Sequence, residues 1–245
     1  MSHFCVAVIV DEPTEEAVEK VLAPYDENME VEPYLDKTKA EIIEDGKNYK
    51  ARILKNMKEN PNYELTEYGR KYLDCETDED FYNLEKEDYS LFDEEGNSLT
   101  TYNPNSKWDW WTLWGRFGTD GTFMRVEDVK LEKEDADPTA YAREWEIFVE
   151  GAEKTEEEED LWTMWKPQYY IERYGNKETY IKIRSLEFPY AFVDKDGWYA
   201  QGEMGWFGCD DATKDSILEF VDGFTNYFKD PKNKGKYLVY ADLHI

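Results

Sequence analysis

The first eight residues of ordered pattern, His3-Phe4-Cys5-Val6-Ala7-Val8-Ile9-Val10, form a nearly continuous apolar run. A half-exposed strand alternates apolar with polar residues, whereas a run without alternation has both faces covered. The segment therefore reads as a central strand, with packed layers on either side of its sheet. The last segment, Tyr237 to Ile245, alternates: Leu238, Tyr240, Asp242 and His244 fall on one face, and Tyr237, Val239, Ala241, Leu243 and Ile245 on the other. A terminal apolar strand has to pair with something, and the N-terminal strand is its natural neighbour.

Between these strands the pattern is mixed. Thr14 to Leu22 reads as a helix, with Glu15 and Glu16 in the first turn where the helix dipole favours anions, and Pro24 ends it. Residues 36–90 read as a helical, charged insertion at the periphery, with Ile42/Ile43, Tyr49, Ile53, Leu54 and Met57 at helical spacing. Two hairpins are expected, Ser90–Phe92 with Leu99–Tyr102 and Tyr190–Val193 with Trp198–Ala200, each around a Gly-containing loop. Helices are expected at 139–150, near 176–186 and at 213–228, the last with Ile217, Val221, Phe224 and Phe228 on one side and Thr213 as its cap. The acidic run Glu156 to Asp160 reads as a mobile, solvated connection. The fold class that follows is α+β: one mixed domain over 1–245, its central sheet containing both terminal strands.

Charge excludes some partners. The chain carries 29 Lys+Arg against 57 Asp+Glu, a formal charge of −28, which opposes direct binding to nucleic acid or to anionic lipid. No stretch approaches the ~20 consecutive apolar residues of a membrane helix, and no basic segment precedes the first strand, so a cytoplasmic protein is expected. Cys5, Cys75 and Cys209 are odd in number and widely spaced, which suits reduced thiols rather than a disulfide framework or a zinc ribbon. Two islands escape the acidity: residues 101–126 hold two acids and three bases, and residues 161–185 hold two acids and five bases. Together they contain six of the nine tryptophans.

The first island includes Lys107-Trp108-Asp109-Trp110-Trp111-Thr112-Leu113-Trp114-Gly115-Arg116-Phe117-Gly118. Indole faces and a guanidinium plane can sandwich a flat ring, while glycine lets backbone N–H groups approach a ligand. The plainer reading is that these tryptophans line a core and Arg116 pairs with one of the many acids, and it stands slightly ahead because large aromatics are mostly buried. The loop Gly202 to Gly208 holds Trp206 and Phe207, and its glycine spacing repeats that of Gly115, Gly118 and Gly121. Neither loop matches the dinucleotide fingerprint or the P-loop. Asp210 and Asp211 disfavour a phosphate at the following helix.

The only histidines, His3 and His244, lie on the two terminal strands. If the strands pair in the right register, His3, His244 and Asp242 form a polar cluster suited to acid–base work or to a metal. Two strand-end histidines in solvent is the simpler outcome, since the sequence does not set the register. No serine-hydrolase, zincin or EF-hand pattern is present, and no catalytic residue, metal ligand set or cofactor is assigned.

Ser2-His3-Phe4 leading into an apolar strand, Asn103-Pro104-Asn105-Ser106-Lys107-Trp108-Asp109-Trp110 with Gly115-Arg116, the Gly205-Trp206-Phe207-Gly208 loop and the terminal Asp242-Leu243-His244-Ile245 together resemble a group of tailed-bacteriophage accessory proteins. The resemblance leaves out the helical stretch around 36–90, and Trp114 stands where that group usually has a second glycine before Gly-Arg. It implies a phage setting, and hence the host cytoplasm, and brings no activity with it. In that setting two binding strategies suit the composition. One sequesters a nucleotide-like small molecule against Trp108, Asp109, Trp110, Trp111, Trp114 and Arg116, with Trp206, Phe207, His3 and His244 nearby. The other mimics a nucleic-acid backbone and occupies the basic surface of a host enzyme. Both counter a host defence without catalysis, and a homo-oligomer is compatible with either. A nucleotide-processing enzyme comes third.

Overall fold

The computed structural model describes residues 2–205 and 209–245. The chain divides into two compact units, one made of residues 1–29 and 104–245, the other of residues 30–103. The larger unit is built on a six-stranded mixed sheet. In it β1 (His3–Val10) lies between β9 (Tyr237–His244), antiparallel, and β7 (Ala191–Asp194), parallel, and β8 (Gly197–Ala200) forms a hairpin with β7. The outer edge of β9 carries two short strands, β5 (Trp110–Thr112) opposite its C-terminal end and β6 (Met124–Arg125) opposite its start.

The expected pairing of the terminal strands is continuous from His3↔His244 to Val10↔Tyr237. Its physical basis is the two-sided burial read in the sequence. Phe4, Val6, Val8 and Val10 pack with Val239, Ala241 and Leu243 on one face, beneath Val18 and Leu22 of α1 (Glu15–Leu22). Ala7, Ile9, Phe192 and Leu238 pack on the other face, beneath Ile217, Phe220, Val221 and Phe224 of α8 (Lys214–Lys229). Each of those α8 side chains contributes about 1.5–3 kcal/mol through burial. Both helices start on threonine caps: Thr14 accepts from Ala17 N, and Thr213 accepts from Ser216 N.

The remaining helices of this unit are α5 (Pro138–Phe148), α6 (Pro167–Tyr174) and α7 (Lys177–Arg184). They meet on an aromatic cluster of Trp145, Tyr170 and Tyr180. The acidic run is not wholly solvated. Thr155 caps a short 3-10 turn, Glu156–Glu158, and Glu158 accepts from Arg143 Nε at 2.7 Å. That guanidinium, with the Thr155 amide, holds the Glu158 carboxyl down at about 2.

The smaller unit holds α2 (Lys39–Glu59), α3 (Glu67–Asp74) and α4 (Asp78–Glu85) with a three-stranded antiparallel sheet of β2 (Tyr34–Lys37), β4 (Ser98–Thr100) and β3 (Leu91–Phe92), in that order. Its core is Ile53, Tyr72, Cys75 and Phe81. Lys50 Nζ donates to the carbonyls of Leu73 and Cys75, which close the end of α3. Among the described residues no helix is long and apolar enough to cross a membrane.

Candidate functional site

On the sheet face that α8 covers, its apolar side chains lie over Ala7, Ile9 and Leu238, and the end carrying His3, Cys5, Tyr240, Asp242 and His244 is polar. Cross-strand partners share a face, so pairing His3 with His244 and Cys5 with Asp242 sets these four side by side. β5 continues the face, with Trp110 opposite His244 and Thr112 opposite Asp242.

Two histidine–carboxylate pairs result. His3 Nδ1 lies 2.9 Å from Asp242 Oδ1, and His244 Nδ1 lies 2.6 Å from Asp109 Oδ1. A carboxylate only accepts, so each imidazole carries its proton on Nδ1 and turns Nε2 elsewhere. Asp242 is 1 % exposed and its second oxygen accepts from the Arg116 amide at 3.0 Å. The ring centroids of His3 and His244 are 5.1 Å apart, edge to face, and His3 also meets Trp110 edge-on at 6.1 Å. His244 Nε2 is buried and has no hydrogen-bond partner among the described residues. Among the described residues, no group of three or more His, Cys, Asp or Glu is placed to hold a metal ion.

The tryptophan segment divides by role. Trp108 is 6 % exposed, and its indole N–H donates to the Leu22 carbonyl, an end-of-helix acceptor of α1. Trp111 packs against the same core. Trp110 and Trp114, by contrast, are 49 % and 69 % exposed. Trp110 and Trp111 part because β5 is a strand, with consecutive side chains on opposite faces, whereas Trp108 and Trp114 lie outside it.

Past β5 the chain turns at Arg116-Phe117-Gly118-Thr119, closed by the Thr119 amide donating to the Arg116 carbonyl at 3.3 Å. Both central residues have positive φ, 62° at Phe117 and 69° at Gly118, the pattern of a type I′ turn. Gly118 adopts it freely, but a bulky Phe in this region is strained. Phe117 is nevertheless held there, largely exposed. Arg116 is also exposed, and among the described residues its guanidinium makes no ion pair.

Beside His3 a cleft of about 420 Å³ opens, within the size range of small-ligand sites. His3, Cys5 and Tyr240 line it from the sheet, and Phe117, Glu187 and Tyr190 are among the other lining residues. Arg173 also lines it, but both of its terminal nitrogens are engaged by Asp210, at 2.5 and 3.1 Å. Burial, followed by the fields of Asp242 and Glu187, pushes the Cys5 thiol up to about 12. Burial, with Cys5 and Glu187, also raises the Tyr240 hydroxyl. Both groups are therefore neutral at physiological pH.

Of the residues the sequence singles out, the structure brings His3, His244, Asp109 and Trp110 together, and the Arg116 amide joins them through Asp242. Trp108 and Trp111 are in the core, and Trp114 packs over Gly121. Trp206 and Phe207 lie outside the described residues. Sequence reasoning missed Glu187, Tyr190 and the Arg173–Asp210 pair, which come from distant segments that only the fold assembles. Tyr240 was marked by its alternation with Asp242 and His244.

Comparison with protein-family models, with curated proteins and with solved structures returned no match in any of the three.

Proposed function

We propose that this chain is a non-enzymatic binding protein of phage type that counters a host defence by sequestering a nucleotide-like ligand at the polar end of its sheet. The observation that carries the reading is that His3, fixed by buried Asp242, lines one cleft with the exposed Phe117 and also meets the half-exposed indole of Trp110 edge-on. Flat rings stack on exposed aromatics at about 1–3 kcal/mol per base, and an imidazole held by a carboxylate presents its second nitrogen to a ligand. The Arg116 guanidinium, without an ion pair among the described residues, supplies positive charge in a chain of −28, where an anionic group is otherwise repelled.

Acidic mimicry is the second reading. Residues 30–103 carry 20 acids against 10 bases, a composition suited to the basic surface of a host protein. The two readings separate in one experiment. Protein purified from cells is heat-denatured, and the supernatant is examined by absorbance in the nucleobase band and by mass spectrometry. A released nucleotide supports sequestration. A clean supernatant, together with a host-protein complex that dissociates as salt is raised, supports mimicry and overturns the first reading.

A further inference from the structure

The cleft beside His3 has an electrostatic character opposite to that expected of a phosphate pocket. Its one guanidinium, on Arg173, is bound bidentately by Asp210, which leaves it little capacity for a ligand anion. Glu187 lines the same cleft and is exposed, and among the described residues its carboxylate has neither an ion pair nor a side-chain hydrogen bond. Its field reaches both Cys5 and Tyr240 at the floor, and both stay protonated. Among the described residues the uncommitted charge that lines the cleft is thus negative, whereas the positive charge of Arg116 belongs to the turn outside it.

We infer that the cleft admits the hydrogen-bond-donating edge of a guanine-type base, with the Glu187 carboxylate as the group that reads it and the ligand's phosphate left outside, toward Arg116. The inference rests on the nucleotide reading above and specifies its substrate class. A carboxylate offers two parallel acceptors, and guanine presents two adjacent parallel donors, its ring N1–H and its exocyclic amino group. Adenine sets a lone pair beside its amino donor, and hypoxanthine keeps the ring N–H but lacks the amino group. Each therefore leaves a carboxylate oxygen unpaired or repelled, a defect that costs affinity because the displaced water is not replaced. Phe117 and Phe188, also in the lining, supply apolar surface for the ring.

The test is equilibrium dialysis of GMP, IMP and AMP against the full chain and against Glu187→Gln and Trp110→Ala. Among the described residues Glu187 bonds to the fold through its backbone, the amide donating to the Leu131 carbonyl at 2.8 Å, so the side-chain change is expected to leave folding intact. The expected result is GMP bound about tenfold or more tightly than IMP or AMP, a preference erased in Glu187→Gln. Trp110→Ala is expected to weaken all three in proportion. If the three nucleotides bind alike, or if Glu187→Gln keeps the GMP preference, the base assignment is overturned while the site reading stands. If none of them binds the unaltered chain, both fall together.

Discussion

A methyl group added at Gly115 would lie 2.5 Å from Oδ2 of Asp242, closer than any side-chain carbon tolerates. The Gly115 backbone is not in the left-handed region, so the glycine is required for this approach and not for its own conformation. Gly115→Ala must push the buried carboxylate away from His3 and from the Arg116 amide. The expected cost is about 1–3 kcal/mol, read as a lowered urea midpoint at unchanged m-value. Gly223 in α8 is the control: nothing lies within 4 Å of a Cβ there, and Gly223→Ala is expected to stabilise by about 0.5–1 kcal/mol.

The tryptophans are expected to separate by assay. Trp108→Ala empties a core position and leaves the Leu22 carbonyl without its donor, for a loss of about 3–5 kcal/mol in denaturant titrations. Trp110→Ala and Trp114→Ala remove half-exposed or exposed rings and are expected to cost about 1 kcal/mol or less. Under the proposed binding function their effect is expected on ligand retention. An unfolded Trp110→Ala protein would show that this ring is structural.

Arg116 and Phe117 form the exposed arm of the turn. Arg116→Ala removes no ion pair among the described residues, so its melting curve is expected to match the parent, while under the proposed binding function nucleotide retention falls about tenfold. Phe117→Asn places a residue that tolerates positive φ where a bulky one is strained, and melting is expected to stay level or rise. An Arg116→Ala protein with full retention would remove the guanidinium from the site.

Cysteine chemistry gives a pH prediction. Cys209 is exposed, Cys75 is buried and the Cys5 thiol is held up to about 12, so native protein is expected to show one fast thiol toward a disulfide reagent near neutral pH, and denatured protein three. Because the folded Cys5 pKa is raised from about 9, the folded state keeps its proton where the unfolded state releases it. The stability linked to Cys5 is complete below pH 9 and is lost as pH rises toward 12. Cys5→Ala should flatten that slope in pH-dependent denaturation.

How much of this was legible follows the type of signal. The unbroken apolar run at 3–10 and the alternation at 237–245 identified the central strand pair, because burial on two faces leaves no other pattern. The caps Thr14 and Thr213 marked where α1 and α8 begin, and both hairpins were visible from their Gly-containing loops. β5 was not expected, since it spans only Trp110–Thr112 within a tryptophan-dense segment and shows only once β9 supplies its partner. α6 went unnoticed because its packing partners are aromatic rings from α5 and α7. For the site, the face of Asp242 and His244 was readable, but the register that sets His3 against His244 was not. Glu187 carried no signal among 57 acids.

The pairing of β1 with β9 also governs the time course of assembly. Its registered partners, from His3↔His244 inward, are almost as far apart in sequence as this chain allows. Such non-local contacts pay a large loop-closure entropy before any reward and slow folding relative to local ones. During synthesis β1, the most apolar strand, leaves the ribosome well before β9 and waits for its partner. Over that interval its edges are open to other chains, so a co-expressed chaperone or low expression temperature is expected to raise the yield of soluble protein more than any surface substitution.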